Sequence, residues 1–262
     1  MEEKTKVRDK VSIITPSFNC QDYISKTIDS VLSQTYSNWE MIIVDDCSTD
    51  NSVEIIQNYC AKDKRIKLFI SDKNMGSGRS RNKCLEKATG RYIAFLDSDD
   101  YWSNIKLERQ IAFMEENSFN LTYSMYFEFD SDTGRLLTKV KVPKKVNFGM
   151  LLKNGGYMGC LTVIYDSYFF GKRDMPEIRK RQDWALWLKM LKEIDYAHGL
   201  QEPLAYYRLG NSSLSKSKLK LVKYNFSVYR KELRMSFLRS LYHMIVFLIH
   251  HFFYKPKLKV KL

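Results

Sequence analysis

VSIITPSFNCQDYISKTIDSVLSQTYSNWEMIIVDDCSTDNS, residues 11–52, holds two short apolar runs, VSIIT (11–15) and MIIV (41–44), separated by a segment of a different period. Between them Ile24, Ile28, Val31 and Leu32 recur at i, i+4, i+7 and i+8, the spacing of one helical face. The runs are rich in β-branched residues and end in turn formers, Pro16-Ser17 after the first and Asp45-Asp46 after the second, so they read as strands. The alternation then continues. Val53, Ile56 and Tyr59 keep helical spacing, IKLFI (66–70) is a third strand, MGSGRSRN turns into a short helix around Cys84 and Leu85, and YIAFL (92–96) is a fourth strand. This βαβαβ pattern predicts an α/β fold, a mixed and mostly parallel sheet with helices on both faces.

Sheets of this kind bind ligands in the crevice outside the carboxyl ends of their strands. Here those ends are Thr15-Pro16-Ser17, Asp45-Asp46 and Asp97-Ser98-Asp99-Asp100, so hydroxyls and carboxylates collect at one edge. If the chain stays extended through DSDD, Asp97 and Asp99 point the same way, about 7 Å apart. Such a pair suits a hard divalent cation that keeps some waters and some phosphate oxygens. The alternative is a helix-opening turn whose acids cap the helix beginning IKLERQ. Asp45-Asp46 has a similar alternative, an Asx turn entering the next helix.

The second half is less regular. NLTYSMYFEFDSDTGRLLTKVKVP (120–143) predicts a hairpin around DSDTGR, GGYMGCLTVIYD (155–166) reads as a further strand, and RQDWALWLKMLKEI as a helix with Asp183 as its N-cap. We expect a mixed, antiparallel extension of the first sheet. Five scattered cysteines without a C-x-x-C pair argue against a disulfide framework or a zinc site and suggest reduced thiols. MEEKTKVRDK at the N-terminus has no apolar run of the secretory kind, so a cytoplasmic location is expected.

The net charge of +13 is concentrated at one end. From Lys216 to Leu262 twelve lysines and arginines face the single acid Glu232, which leaves +2 for the other 215 residues. Within that segment SFLRSLYHMIVFLIHHFFY (236–254) is strongly apolar, but its longest uninterrupted run, MIVFLI, falls far short of the ~20 residues needed to cross a bilayer. Flanked by basic residues, it predicts an amphipathic helical tail (216–262) lying on an anionic membrane surface. Alternatively, Leu238, Leu241, Ile245 and Leu248 cover the apolar surface of the main domain.

Four motifs in order, TPSFN, VDDCSTD, NMGSGRSRN and DSDD, make the chain resemble family 2 glycosyltransferases of the GT-A fold, particularly those of bacterial surface polysaccharides such as O-antigen, capsule and teichuronic acid. KRQDWALWLKMLK and PLAYYR are similar to the family's acceptor-side half, so the resemblance covers roughly residues 10–215. It implies a catalytic domain, 1–215, with a nucleotide-sugar half (10–102) and an acceptor half (103–215). Thr15 and Pro16 would form part of the nucleotide wall, Asp46 would meet the uracil ring, and Arg81 would help with diphosphate or sugar. Asp97 and Asp99 would be the D-x-D pair, Asp99 the direct ligand of Mn²⁺ or Mg²⁺, and Asp183 the general base. Many relatives carry Glu-Asp where this chain has Gln182-Asp183, so any role of the preceding acid is lost.

The implied activity is inverting transfer of a hexose, from UDP-glucose or UDP-galactose, to a lipid-linked saccharide such as N-acetylglucosamine-diphospho-polyprenol. The expected location is the inner face of the cell membrane. The implied chemistry needs one base and one metal, whereas glycosidic hydrolysis needs two facing carboxylates. Other classes fit less well. A nucleic-acid binder should carry its basic stripe on the folded domain, which here is nearly neutral, so no nucleic-acid partner is expected. A dinucleotide-binding G-x-G-x-x-G is incomplete at 76–81, Arg81 standing at the third glycine. A catalytically silent scaffold is the remaining alternative.

Overall fold

The computed structural model describes residues 9–210 and 218–262. At its centre lies β1 (Val11–Ser17), buried along its whole length because helices cover both faces of the sheet. Val11 and Ile13 enter one core and Ile14 the other, the alternation a strand imposes. The expected crossovers follow: α1 (Ile24–Leu32), β2 (Trp39–Asp45), α2 (Ser52–Lys62), β3 (Ile66–Ile70), α3 (Ser77–Lys87) and β4 (Tyr92–Phe95). β2 and β4 flank β1 in parallel, and β3 lies parallel beyond β2. Ile24, Ile28, Val31 and Ile56 bring α1 and α2 onto one face, while Cys84 and Leu85 bring α3 onto the other.

The chain then passes through β5 (Tyr101–Trp102), α4 (Lys106–Asn117), β6 (Leu121–Asp130), β7 (Leu136–Val140), β8 (Lys145–Val146), α5 (Phe148–Lys153), β9 (Ile164–Asp166), α6 (Ser167–Phe170), α7 (Gln182–Met190) and β10 (Ala197–Leu209). The hairpin β6–β7 forms as expected, and β9 joins the two halves by pairing antiparallel with both β4 and β6. The long β10 runs parallel to β6 and antiparallel to β5, carrying its carboxyl end toward the acidic turn after β4. The order β7-β6-β9-β4-β1-β2-β3 is the mixed sheet predicted.

Two expectations fail locally. GGYMGCLTVIYD is strand only at Ile164–Asp166, because Cys160–Thr162 curls into a 3-10 turn held by Thr162 Oγ1 donating to the carbonyl of Gly159 at 2.7 Å. DSDD is not extended: the amide of Asp100 donates to the carbonyl of Asp97 at 3.1 Å, closing a turn. Thr27 Oγ1 of α1 braces that turn by donating to the carbonyls of Ser98 and Asp100, at 3.0 and 2.7 Å.

The boundary expected at 215/216 lies outside the described residues. Beyond it come α8 (Lys218–Ser227), a π-helical turn at Val228–Glu232, α9 (Phe237–Ile249) and β11 (Lys259–Lys261). This segment packs on the domain. Val228, Tyr229, Met244 and Phe247 join the core around Trp184 and Trp187, and β11 pairs antiparallel with β7 at the sheet edge. Lys259 Nζ there meets both carboxylate oxygens of Glu128 at 2.6 and 2.7 Å. The inward stripe of α9 is Ser240, Met244 and Phe247, out of phase with the four positions named as alternative packing residues: Leu238, Leu241 and Ile245 are exposed and only Leu248 touches the core. Among the described residues no helix is long and apolar enough to cross a membrane.

Candidate active site

The carboxyl ends of β1, β2 and β4 meet as the topology requires. Thr15 and Pro16 are buried within β1, and the exposed group at that strand end is the ring of Phe18. Asp45 makes the Asx turn, accepting from the Ser48 amide at 2.8 Å, from Ser48 Oγ at 2.6 Å and from Ser17 Oγ at 3.0 Å. The loop after β1 is laced to it: the Asn19 side chain accepts from the Thr49 amide at 2.8 Å, and the Cys20 amide donates to Ser52 Oγ at 2.8 Å. Asp46 is nearly sealed and accepts from the amides of Met75 and Gly76, at 2.9 and 2.7 Å. It therefore fixes the turn into α3, where Gly76 has φ +87°, a conformation glycine adopts without strain.

That turn delivers Arg81 and Asn82. The Arg81 guanidinium, 8% exposed, donates to Asp97 Oδ1 at 2.5 Å and to Gln182 Oε1 at 3.3 Å. Burial works against its charge, but Asp97 more than offsets this and holds its pKa above the ordinary arginine value. The Asn82 side chain clamps Met175, donating to its carbonyl at 3.0 Å and accepting from its amide at 2.7 Å. The RN pair thus grips the acidic turn with one side chain and the approach to α7 with the other.

In the acidic turn the three carboxylates have different fates. Asp97 is paired with Arg81. Asp100 is buried and accepts from the amide of Arg208 at 2.8 Å; burial, then Asp99 and Asp97, push its carboxyl well above the usual range. Asp99 is open to solvent, and its carboxylate accepts no hydrogen bond from any other described residue. The mass around it and the charge of Asp97 raise its pKa. Arg208 staples the turn to β10, its Nε donating to the carbonyl of Asp99 at 2.7 Å and its guanidinium lying 4.2 Å from the ring of Tyr23.

No group of three His, Cys, Asp or Glu side chains among the described residues forms a ready-made metal cage. The donor set nevertheless fits a hard divalent cation of the kind that takes one or two carboxylates and completes its shell with water and phosphate. Asp99 is uncommitted, Asp97 stands beside it, and their mutual repulsion is what a cation would relieve.

Asp183 is not an N-cap. α7 begins at Gln182, with Arg181 in the capping position and no side-chain cap, so Asp183 lies in the first turn, half-buried. Its carboxylate has no hydrogen-bond or ion-pair partner among the described residues. It lies near the acidic turn: after burial, Asp100, Asp99, Asp97 and Asp183 all raise the Tyr207 hydroxyl, and Arg81, Asp97 and Asp183 all act on Cys160. Gln182 was read only as a lost acid. It packs its amide against Gly78, where a Cβ would come within 2.2 Å, and joins Arg81 to the carbonyl of Ile178, which accepts from Nε2 at 2.5 Å. The roles of Gln182, Asn82 and Arg208 come from contacts across 90 to 110 positions of chain, which local spacing does not reveal.

A parallel strand edge with an acidic turn, a buried arginine bound to it and an unpaired carboxylate in the first turn of a later helix fits the architecture of a GT-A glycosyltransferase. The chain belongs to glycosyl transferase family 2, whose model matches residues 12–175. It is 46% identical, over 88% of its length and 91% of the relative's, to the Bacillus subtilis protein named "Putative teichuronic acid biosynthesis glycosyltransferase TuaG". It is 40% identical to the Escherichia coli UDP-Glc:alpha-D-GlcNAc-diphosphoundecaprenol beta-1,3-glucosyltransferase WfgD, over 83% of the chain and 84% of that protein. Its fold also matches the crystal structure of S. aureus TarS 1–349 in complex with UDP, with a TM-score of 0.70 at 23% identity, covering 95% of this chain and 73% of that one.

Proposed function

We propose that the chain is an inverting hexosyltransferase that moves glucose or galactose from its UDP derivative to a hydroxyl of a lipid-linked saccharide, for which an N-acetylglucosamine diphospho-polyprenol is the leading candidate. The observation that carries this reading is that two carboxylates, Asp99 in the turn after β4 and Asp183 in the first turn of α7, are left without hydrogen-bond or ion-pair partners from other described residues and both act on the buried Tyr207. The chemistry printed in the name of the 40% identical relative supports the choice of sugar and acceptor.

In this reading residues 10–102 hold the donor. Phe18 offers a ring face to the base beside Thr15 and Pro16, and Asp46 meets the uracil edge while keeping the Gly76 turn in place. Asp97 and Asp99 hold Mn²⁺ or Mg²⁺ at the donor diphosphate; when bound, the ion neutralises charge that builds on the leaving phosphate. Arg81 keeps Asp97 oriented and adds a fixed positive charge on the same side. Residues 103–215 present the acceptor. Asp183 takes the proton from the attacking hydroxyl as the new bond forms on the face opposite the diphosphate, and the configuration inverts.

The C-terminal segment 216–262 is read as the membrane-facing part, which would keep the enzyme at the cytoplasmic face where its acceptor resides. α9 turns Phe237, Leu238, Leu241, Tyr242 and Ile245 outward, next to exposed Arg230, Lys231, Arg234 and Arg239.

The test is calorimetric binding of UDP, GDP and ADP to the full chain, with and without Mn²⁺, alongside Asp99→Ala. UDP should bind best, and the gain from Mn²⁺ should vanish in Asp99→Ala. A folded protein that binds none of the three would replace the enzyme with a silent scaffold.

A further inference from the structure

Arg181 carries a positive charge with no ion-pair partner among the described residues. Its Nε is sealed from solvent without a hydrogen-bond partner, and no carboxylate among the described residues lies within ion-pair distance of the guanidinium. Leaving that one donor of a charged group sealed and unpaired is costly. The backbone is held there as well, at φ 67° and ψ 23°, a left-handed conformation rare for a long side chain. The segment is anchored on either side, by the Asn82 clamp on Met175 and by the amide of Ala185 donating to the Arg181 carbonyl at 3.0 Å. The backbone that carries the side chain is therefore fixed, and burial lowers its pKa more than Asp183 raises it.

The groups that act on it are Asp183, Tyr229 of the π-helical turn and Tyr207 of β10. Arg81, by contrast, answers to Asp97, Cys160 and Asp183. Asp183 thus acts on both arginines, and Tyr229, which acts on Arg181, belongs to the C-terminal segment that includes α9.

We propose that Arg181 is the acceptor's phosphate-binding residue, receiving the diphosphate that links the acceptor sugar to its lipid. Two residues of chain span at most about 7 Å, a separation on the scale of a pyranose ring. A sugar whose hydroxyl meets Asp183 thereby brings its anomeric phosphate to Arg181, and the planar guanidinium suits bidentate contact with phosphate oxygens. The lipid then runs on toward α9. This rests on the reading of Asp183 as base and of a lipid-linked acceptor.

The test uses the full chain with UDP and Mn²⁺ at saturation, so that the donor site is filled, and farnesyl diphosphate as the probe. Arg181→Asn keeps the backbone geometry, since asparagine adopts positive φ readily, and Arg181→Lys keeps the charge. Farnesyl diphosphate should bind wild type, bind Arg181→Asn at least about tenfold more weakly and Arg181→Lys in between, with UDP affinity equal in all three. In turnover, KM for the lipid-diphosphate acceptor should rise about tenfold in Arg181→Asn, with no effect on an alkyl N-acetylglucosaminide that lacks phosphate. Unchanged farnesyl diphosphate binding overturns the proposal, and so does a parallel loss of UDP affinity, which would assign the arginine to the donor. Arg181-dependent binding without any sugar transfer would sink the transferase reading and leave the anion site standing. Transfer with an unaltered acceptor KM in Arg181→Asn would do the reverse.

Discussion

At the scale of single residues, Asp183 and Lys106 make the sharpest predictions, one about rate and one about stability. Asp183→Asn retains size and helix position but cannot take a proton, so kcat should fall by about 10²–10⁴ while UDP affinity is unchanged. Calorimetry and initial rates on one preparation separate the two. Lys106 is fully buried, its ammonium donating to Gln110 Oε1 at 2.5 Å and to the Thr162 carbonyl at 3.4 Å, with no ion-pair partner among the described residues. Burial brings its pKa down to about 7. The unfolded chain therefore binds a proton that the folded chain does not between pH 7 and the unperturbed value of about 10.4. Stability from this group rises with pH across that window, and its penalty is fully present below it. Lys106→Met should accordingly raise Tm at pH 7, by an amount that shrinks toward pH 10. A gain independent of pH would show that the ammonium was not the cause.

At the scale of elements, the strands of the first half were readable because the apolar runs of β1, β2 and β4 are buried on both faces and their ends carry turn formers, while β3 at the edge keeps its β-rich run although Phe69 and Ile70 are exposed. What was misread turned on side chains reaching from elsewhere. The bend of DSDD is braced by Thr27, on a helix some 70 positions away, whose hydroxyl donates to its carbonyls. Asp183 was assigned to a cap because the frame of α7 was taken from residue type; the actual cap position is occupied by Arg181 in a left-handed conformation that no local pattern announces. Glu40, inside β2, shows the same dependence on distant partners. Its carboxylate accepts from Ser12 Oγ at 2.7 Å, Lys67 Nζ at 2.8 Å and the Thr89 amide at 2.7 Å, joining β1, β3 and the turn before β4. Burial pushes its pKa up, but Lys67, Ser12 and Thr89 bring it down to about 2. Its contribution is complete above the unfolded value of about 4.3 and is lost as pH falls toward 2, about 1–3 kcal/mol in all. Glu40→Gln should lower Tm at neutral pH and flatten its decline between pH 5 and 2. An acid limb as steep as that of wild type would rule out this carboxylate.

At the scale of the whole molecule, the C-terminal segment has two faces. Its inner residues complete the core around Trp184, so cutting the chain near 215 would strip the helix that carries Asp183 of its packing and would not test membrane binding cleanly. Introducing negative charge on the apolar outer face does. Leu238→Glu, Leu241→Glu and Ile245→Glu together should abolish co-sedimentation with phosphatidylglycerol vesicles while leaving Tm nearly unchanged, since all three side chains are exposed. Undiminished sedimentation of the triple variant would remove α9 from the membrane. The basic, apolar character of this segment was plain in the sequence; which residues point inward was not, because an α-helix rich in apolar residues all round has several equally plausible faces.

The bridge from Asp97 through Arg81 to Gln182 bears on how such enzymes can be recombined. Donor and acceptor halves look like modules to be exchanged between relatives with different sugars, yet this contact straddles any join near residue 103. A hybrid whose second half brings glutamate at position 182 would give Arg81 a second carboxylate to serve and loosen its hold on Asp97. New acceptor specificity would then arrive with a weakened grip on the donor, unless positions 81, 97 and 182 are inherited together.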